Sequence, residues 1–564
     1  MHPSHLSLTG RKWNLHPQHV SVSDSLHPLV ARCLSRRIGE KSLSDWMRPS
    51  LDHLHDPYAM LGMVDAVARI RDAIRNQQRI RIVTDYDVDG TTSSLILQQT
   101  LIRIGGKGLI DYHIPDRFAE GYGFSVDAAR KAAADGVALI ITADIGVKDH
   151  PAVDFAHEAG VDVIVCDHHL PAGESVPENA YAVLCPPQDA CTYPNKSLAA
   201  CGVSLKLAQA LLRDHPKYEA LLRSMLKVAA IGTVADVVDL SGLENRAIVS
   251  LGIEQLRTGR HAPGLQALLD VCGLSNAWIS ARDLGYKVSP RINAAGRLTG
   301  ANAVVELFSA RSPERAYELA RALDDLNDQR KQIQSGLVDA CIEQLGTETP
   351  DFAVLAGDES EGWHRGVVGI VAARIRDRIH RPTAVIAIMD ELARGSVRSI
   401  TEIHAVRALE SASDLLAGFG GHPAAAGFTV PVENIPALRE RLCTYVREQA
   451  RGDLPAPTLE LDADCQPRDL NWDTVRALQK LGPHGKGNPT PLLWVRNVRP
   501  SALRTLSGDK HVKFRVGALD AIWWNGGKYI DQLNRPLDLA AEIEINRWKG
   551  RTTLQLNIED VAPH

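Results

Sequence analysis

The chain is 564 residues long, too long for a single hydrophobic core, and two to four domains are expected. Hydrophobic residues make up 45% and charged residues 23%, the balance of a soluble globular protein rather than of a membrane-embedded or disordered one. A net charge of −5 gives no overall basic character, so nucleic-acid binding would have to come from local positive patches.

Residues 1–55 read as a polar, His-rich N-terminal extension with Trp13 and Trp46 as its anchors. Its start, Met1-His2-Pro3-Ser4-His5, lacks a basic-then-apolar leader pattern. No run approaches the roughly 20 apolar residues of a membrane span, so no membrane association is expected. From 56 to 265, short apolar runs at 80–84, 137–141 and 161–165 alternate with helix-like stretches at 93–104 and 126–134. That alternation predicts βαβ units and an α/β fold with a buried parallel sheet. The last helix of the region is expected at 218–236.

Residues 266–345 read as a connector that contains Ser289-Pro290-Arg291-Ile292-Asn293-Ala294-Ala295-Gly296-Arg297 and then becomes one long helix. Ser312, Pro313 and Glu314 supply its N-cap, first-turn proline and a carboxylate at the positive dipole end. Run to Leu345, that helix would be about 50 Å long and suits a strut between two domains. A second α/β region covers 346–450, with strands at 352–355 and 383–388 and a helix at 367–375. Pro455 and Pro457 mark a linker. Beyond it, residues 456–564 turn to short alternating strands at 492–495, 512–516, 541–545 and 552–558, with Lys549-Gly550 at a hairpin turn. This pattern predicts a small barrel or sandwich. Nine scattered cysteines with no C-x-x-C pair predict reduced thiols in a cytoplasm rather than a structural zinc.

Four polar stations stand at the ends of elements in the first α/β region: Asp85-Tyr86-Asp87-Val88-Asp89-Gly90, Asp144 in Thr142-Ala143-Asp144, Asp167-His168-His169, and Asp236 after Thr233-Val234-Ala235. A βαβ arrangement collects them past the C-terminal ends of the strands. So many carboxylates repel one another as bare anions, and divalent ions would resolve the conflict. Two such ions suit phosphate-ester hydrolysis. Alternate residues of an extended segment project the same way, so Asp85, Asp87 and Asp89 could reach adjacent metal positions. Taken alone, the triplet also fits a surface loop or a calcium site, but an EF-hand needs Glu at its twelfth position, where Ile96 stands. The imidazole of His168 tilts the choice of metal from Mg²⁺ towards Mn²⁺. His169 could donate to a phosphate oxygen or orient His168.

With these stations in this order, the chain resembles the DHH phosphoesterase superfamily and, within it, the bacterial single-strand-specific DNA exonucleases. The segments 115–118, 120–123, 196–199, 290–297 and Leu481-Gly482-Pro483-His484-Gly485-Lys486-Gly487-Asn488-Pro489 carry the closer likeness. Gly420-Gly421-His422-Pro423-Ala424-Ala425-Ala426-Gly427 is similar to the glycine-rich motif of the DHH-associated domain. The resemblance implies a DHH catalytic domain (56–265), a connector with a long helix (266–345), a DHH-associated substrate-binding domain (346–450) and an oligonucleotide-binding (OB)-like β-barrel (456–564). Two departures are visible. Asp239 stands where proline is expected, and the sequence ends after the β region, where longer members continue.

By the same resemblance, Asp85, Asp87 and Asp144 would hold one Mn²⁺ or Mg²⁺ ion, and Asp89, Asp144, His168 and Asp236 a second, with Asp144 between them. His169 joins the catalytic set. Arg117, Arg291, Asn293, Arg297, Ser396, Arg398, Gly421 and His422 are the substrate-binding candidates, since arginine forks and glycine-rich backbone both suit phosphates. In the β domain, Trp494, Phe514, Trp523, Trp524 and Trp548 divide between core and base stacking, and Lys510, Lys513, Arg515, Arg547, Lys549 and Arg551 supply charge. The expected activity is a 5′-to-3′ exonuclease on single-stranded DNA, acting in repair and recombination as a monomer beside a single-strand-binding protein and a helicase. The alternative is a DHH phosphodiesterase for nanoRNA or cyclic dinucleotides.

Overall fold

The computed structural model describes residues 6–17, 26–39, 41–117, 119–171, 173, 175–275, 277–347, 349–450, 454–548 and 550–564, and of Trp548 the backbone alone. Phe118, Lys549 in its hairpin turn, the Trp548 ring and parts of the N-terminal extension lie outside the described residues. The chain divides into two compact units, one of residues 1–296, 300–320 and 458–564, the other of 297–299 and 321–457.

In the first unit the three apolar runs become the strands Arg79–Thr84, Val137–Ala143 and Asp162–Cys166. They form an all-parallel sheet in the order Ile110–His113, Arg79–Thr84, Val137–Ala143, Asp162–Cys166, Ala182–Leu184. Successive side chains point to opposite faces, which sorts neighbours into two cores. Ile80, Ile82, Leu139, Ile141 and Ile164 pack with Leu95 and Ile96 of helix Val88–Leu101. Val83, Ile140, Val163 and Val165 pack instead with Ala129 of helix Val126–Ala134 and Val153 of helix His150–Glu158. Both faces are therefore covered, as a parallel sheet requires.

Residues 289–297 are helical, although they read as a connector. Helix Ser289–Leu298 follows a wider, π-type turn at Leu284–Val288, which precedes Pro290, a residue unable to donate into a regular helix. Gly296 looks like a helix breaker but is needed for packing: a Cβ there would lie 2.6 Å from the Tyr86 carbonyl oxygen. The long helix runs over Pro313–Leu345, and the Ser312 hydroxyl accepts the Arg315 N–H at 3.2 Å, as its capping role requires.

The C-terminal region is a seven-stranded sheet in the order Ala463–Cys465, Leu493–Val498, Leu537–Trp548, Arg551–Pro563, Leu519–Trp523, His511–Val516, Ser501–Leu506. Its core is shared with the N-terminal extension: Leu29, Val30, Leu34 and Trp46 pack with Leu493, Val512, Phe514 and Trp523. Lys12–Leu15 adds a parallel pairing with Thr458–Leu461. Trp46, read as an anchor, is buried in this shared core, and Trp13 stands edge-on to Trp494 with ring centroids 5.6 Å apart; which region receives them does not show in sequence because the residues are more than 400 positions apart.

The second unit carries a mixed sheet in the order Gly418–His422, Ala425–Pro431, Leu392–Arg398, Thr383–Met389, Ala353–Asp358. Val368, Val371 and Ile375 of helix Val368–Ile379 cover one face together with Leu337 of the long helix. Leu438 and Leu442 of helix Ile435–Ala450 cover the other. Among the described residues, no helix is long and apolar enough to cross a membrane.

Candidate active site

Thr84, Ala143 and Cys166 lie side by side in the parallel sheet, and the next residue on each strand is Asp85, Asp144 or Asp167. The ladder runs one step further through all three. The Asp85 N–H donates to Ala143 O at 3.4 Å, Asp144 to Cys166 O at 3.0 Å, and Asp167 to Leu184 O at 3.0 Å. Three carboxylates are thus fixed along one sheet edge. Asp144 does this with a left-handed backbone, φ 65°, a conformation that costs energy for a residue with a Cβ. Val237, directly after Asp236, is left-handed too, at φ 58°, which is rare for a β-branched residue.

Helix ends position the other carboxylates. Asp87 caps helix Val88–Leu101, its Oδ1 accepting the N–H groups of Asp89 and Gly90 at 2.8 and 3.1 Å. Asp89 is fully buried and accepts the N–H groups of Ala200 and Cys201 at 2.7 and 2.9 Å, at the positive end of helix Ala200–Leu211. Asp236 closes helix Tyr218–Ala235.

These groups converge on His168. Its Nε2 lies 3.3 Å from Asp144 Oδ1 and 3.9 Å from Asp89 Oδ2, and its Nδ1 3.6 Å from Asp236 Oδ2. Three sets of donor atoms each lie within 4.8 Å of one another: Asp85, Asp87 and Asp144; Asp89, His168 and Asp236; and Asp144, His168 and His169. Burial and then the Asp87 charge hold the Asp85 carboxyl well above the ordinary range. Burial, followed by Asp87, Asp89, Asp85 and Asp236, does the same to Asp144. Burial also raises Asp89, with Asp87 adding to it against the pull of His168. Asp236 is pushed up to about 9 by burial and by Asp89 and Asp87. Asp85 Oδ1 and His168 Nε2 are buried without a hydrogen-bond partner. Mutually repelling carboxylates with orphaned donor atoms fit divalent cations. A mostly oxygen set with imidazole suits Mn²⁺ and also accepts Mg²⁺.

Asp167 plays a different part, which its position in the motif does not reveal. It accepts the N–H groups of Val147 at 3.0 Å, His168 at 2.7 Å and His169 at 3.2 Å, and its Oδ1 lies 2.7 Å from His169 Nδ1. Burial alone would raise its pKa, but these bonds and the His169 charge bring it down to about 2. Asp167 therefore orients His169, whose Nε2 lies 3.4 Å from the Tyr122 hydroxyl. Tyr122 is 60% exposed and stands between His169 and Tyr86.

The structure groups the substrate-binding candidates only in part. Arg117 lies in the turn after Ile110–His113, its guanidinium 5.3 Å from the Tyr86 ring centroid and close enough to lower Asp85. Helix Ser289–Leu298 carries Arg291, Asn293 and Arg297. Arg291 is bonded to the Lys287 carbonyl at 2.7 Å, and Arg297 to that of Gly366 at 2.9 Å. In the second unit, Arg398 ends its strand and donates to Ser396 Oγ at 2.7 Å. His422 pairs with Ala425 and Ala425 with Arg398, so Gly421 and His422 lie on one side of strand Ala425–Pro431 and Ser396 and Arg398 on the other. The 420–427 motif is an edge hairpin there, with Gly420, Gly421 and His422 exposed and Ala426 buried against Ala405 and Ala408.

Comparison with known proteins agrees with this arrangement. The DHH family, N-terminal domain, matches residues 79–233, the DHHA1 domain 350–448 and the RecJ OB domain 461–560. The chain is 36% identical to the single-stranded-DNA-specific exonuclease RecJ of Bacillus subtilis, with 96% of this chain and 69% of that protein covered. It is also 36% identical to RecJ of Dickeya dadantii, with 96% and 97% covered. The crystal structure of Thermus thermophilus RecJ with Mn²⁺ is similar at a TM-score of 0.82 and 28% identity, covering 97% of this chain and 79% of that one. The same protein with Mg²⁺ gives 0.75 and 27%, covering 98% and 78%. With all three domain types present and a full-length relative at this identity, the chain belongs to the RecJ family of single-stranded-DNA-specific exonucleases.

Proposed function

We infer that this chain is a metal-dependent exonuclease that hydrolyses single-stranded DNA, with Mn²⁺ or Mg²⁺ as cofactor. The observation that carries the reading is the convergence of buried Asp85, Asp89 and Asp144 with half-buried Asp87, His168 and Asp236 in a chain of this family. Divalent ions bound there would supply Lewis acidity to the phosphodiester and a more acidic attacking water. Asp85, Asp87 and Asp144 would hold one ion, and Asp89, Asp144, His168 and Asp236 the other. Backbone N–H groups already orient Asp87 and Asp89, so little rearrangement is needed when ions bind. Burial lowers the pKa of His169, but the hydrogen bond and charge of Asp167 at its Nδ1–H raise it overall, and as the imidazolium it would donate Nε2–H to a phosphate oxygen.

The finer reading follows the residues assigned to the strand. In the first unit Arg117, Arg291 and Asn293, and in the second Arg297, Ser396, Arg398, Gly421 and His422, would contact the strand, with Arg398 and Ser396 taking a 5′ phosphate and so giving 5′-to-3′ polarity. The working division is a catalytic domain at 56–265, a connector at 266–345, a substrate domain at 346–450 and a strand-gripping domain at 456–564. A monomer acting in the cytoplasm in repair and recombination, beside a single-strand-binding protein and a helicase, completes the reading. The test is nucleotide release from single strands labelled at either end, with and without Mn²⁺, against a duplex control. Mn²⁺-dependent release of the 5′ label first, with duplex spared, is expected. Release of the 3′ label first would reverse the polarity. Preference for cyclic dinucleotides or RNA fragments of a few nucleotides would replace the substrate class.

A further inference from the structure

The segment 481–489 has two faces. Asn488 holds it together, its Nδ2 donating to the Leu481 and Pro483 carbonyls at 2.8 Å each and its Oδ1 accepting from Arg37 Nε at 3.0 Å. The tip at 485–487 reaches towards the acid centre instead. The Lys486 carbonyl accepts the Leu240 N–H at 2.8 Å. Gly487, at φ 74°, lies over the Asp239 carboxylate so closely that a Cβ would come within 2.0 Å of Oδ1. Asp239 is itself fixed, accepting the Ser241 N–H at 2.6 Å. Asp236, Asp239 and Leu240 belong to one short segment leaving helix Tyr218–Ala235, so the turn pins the Lys486 backbone beside that end of the site. The Lys486 side chain is exposed.

We propose that Lys486 contacts a backbone phosphate of the single strand on the Asp236 side of the acid centre. This rests on the nuclease reading above and adds a contact from the segment between strands Ala463–Cys465 and Leu493–Val498 of the C-terminal sheet. The charge balance favours it. Five carboxylates, Asp85, Asp87, Asp89, Asp144 and Asp236, against two divalent ions leave one net negative charge, and a phosphodiester brings another. A strand therefore approaches only where cations line the rim. An ammonium on a flexible stem suits a phosphate that moves past during successive cuts, where a fixed bidentate fork would hold it in place.

The experiment measures binding of hydrolysis-resistant phosphorothioate single strands to the Mn²⁺-loaded protein, with one neutral methylphosphonate linkage moved along the strand. Lys486→Ala should weaken binding of the fully charged strand about tenfold. The slope of log affinity against log salt should fall in size by about 0.7, one phosphate contact on a single strand. At one linkage position the neutral group should erase the difference between wild type and variant, because both changes delete the same contact. Lys486→Arg should keep most of the affinity. An equal loss at every linkage position, an unchanged salt slope, or a loss traced by calorimetry to weaker Mn²⁺ binding without DNA would each overturn the proposal. Mn²⁺-dependent digestion of an unmodified strand by wild type, measured in parallel, tests the nuclease reading separately.

Discussion

The Arg246 guanidinium lies 3.6 Å from the centroid of the Trp46 ring, and its Nε donates to the Trp46 carbonyl at 2.8 Å. Its Nη2 also donates to the carbonyls of Leu481 and Gly482 at 3.0 and 2.6 Å. One fully buried side chain of the catalytic region thus ties the N-terminal extension to the segment before strand Leu493–Val498 of the C-terminal sheet. Burial lowers its pKa to about 9, which leaves it charged at neutral pH. Arg246→Ala removes the ring contact and strands buried carbonyls, so a loss of about 3 kcal/mol is expected. A thermal unfolding curve unchanged from wild type would contradict this. Because the extension shares its core with the C-terminal sheet, deleting 456–564 alone should give an aggregating protein. Point substitutions are the cleaner probe of strand grip.

Such substitutions can separate the aromatic residues of the C-terminal region. Phe514 and Trp523 are core residues, whereas Trp524 is 54% exposed beside His511, with ring centroids 4.8 Å apart. Trp524→Ala should weaken binding of long single strands by about 1–3 kcal/mol and leave the unfolding temperature nearly unchanged. Phe514→Ala should instead cost about 3–5 kcal/mol of stability. Equal strand affinity in wild type and Trp524→Ala would move base stacking elsewhere.

Much of this was legible in sequence for identifiable reasons. Parallel strands buried on both faces read as apolar runs, so the βαβ order and the positions of Asp85, Asp144 and His168 follow from periodicity. The long helix was visible through Ser312 and Pro313. Helix Ser289–Leu298 was not, because Pro290 and Gly296 carry loop statistics while tertiary contact with Tyr86 decides their conformation. Asp167 was not separable from its neighbours either, since a carboxylate that orients a histidine and one that binds a metal look alike in one dimension. The Arg246–Trp46 contact spans 200 positions and leaves no local pattern.

Arg398 offers a test of end recognition. Its Nη1 donates to Ser396 Oγ at 2.7 Å and to the Val397 carbonyl at 2.8 Å, which orients the guanidinium. Arg398→Ala should reduce activity on 5′-phosphorylated ends about ten- to a hundredfold more than on 5′-hydroxyl ends. Equal losses on both substrates would assign Arg398 to general strand binding.

The raised carboxyls predict how metal-free stability depends on pH. Asp85, Asp89, Asp144 and Asp236 bind protons more tightly folded than unfolded, so their contribution is full below the unfolded value near 4. It is lost as pH rises through the folded values, about 9 for Asp236. Asp167, at about 2, acts in the opposite sense: its contribution is present above pH 4 and lost as pH falls towards 2. In a chelator, the unfolding temperature should fall between pH 5 and 9. Added Mn²⁺ should raise it more at pH 8 than at pH 5, because ions compete with protons for the same oxygens. A Mn²⁺ effect independent of pH would mean that the ions bind elsewhere.

Asp144 belongs to two of the three donor sets and holds a left-handed backbone to do so, which makes it the most direct test of the acid centre as a metal-dependent nuclease site. The measurement is Mn²⁺-dependent digestion of end-labelled single-stranded DNA by wild type and Asp144→Ala, with unfolding temperatures taken in chelator. The account predicts a loss of at least about 10³-fold in turnover for a variant that unfolds no earlier than wild type. Retention of more than about a tenth of wild-type turnover by a folded Asp144→Ala protein would contradict it.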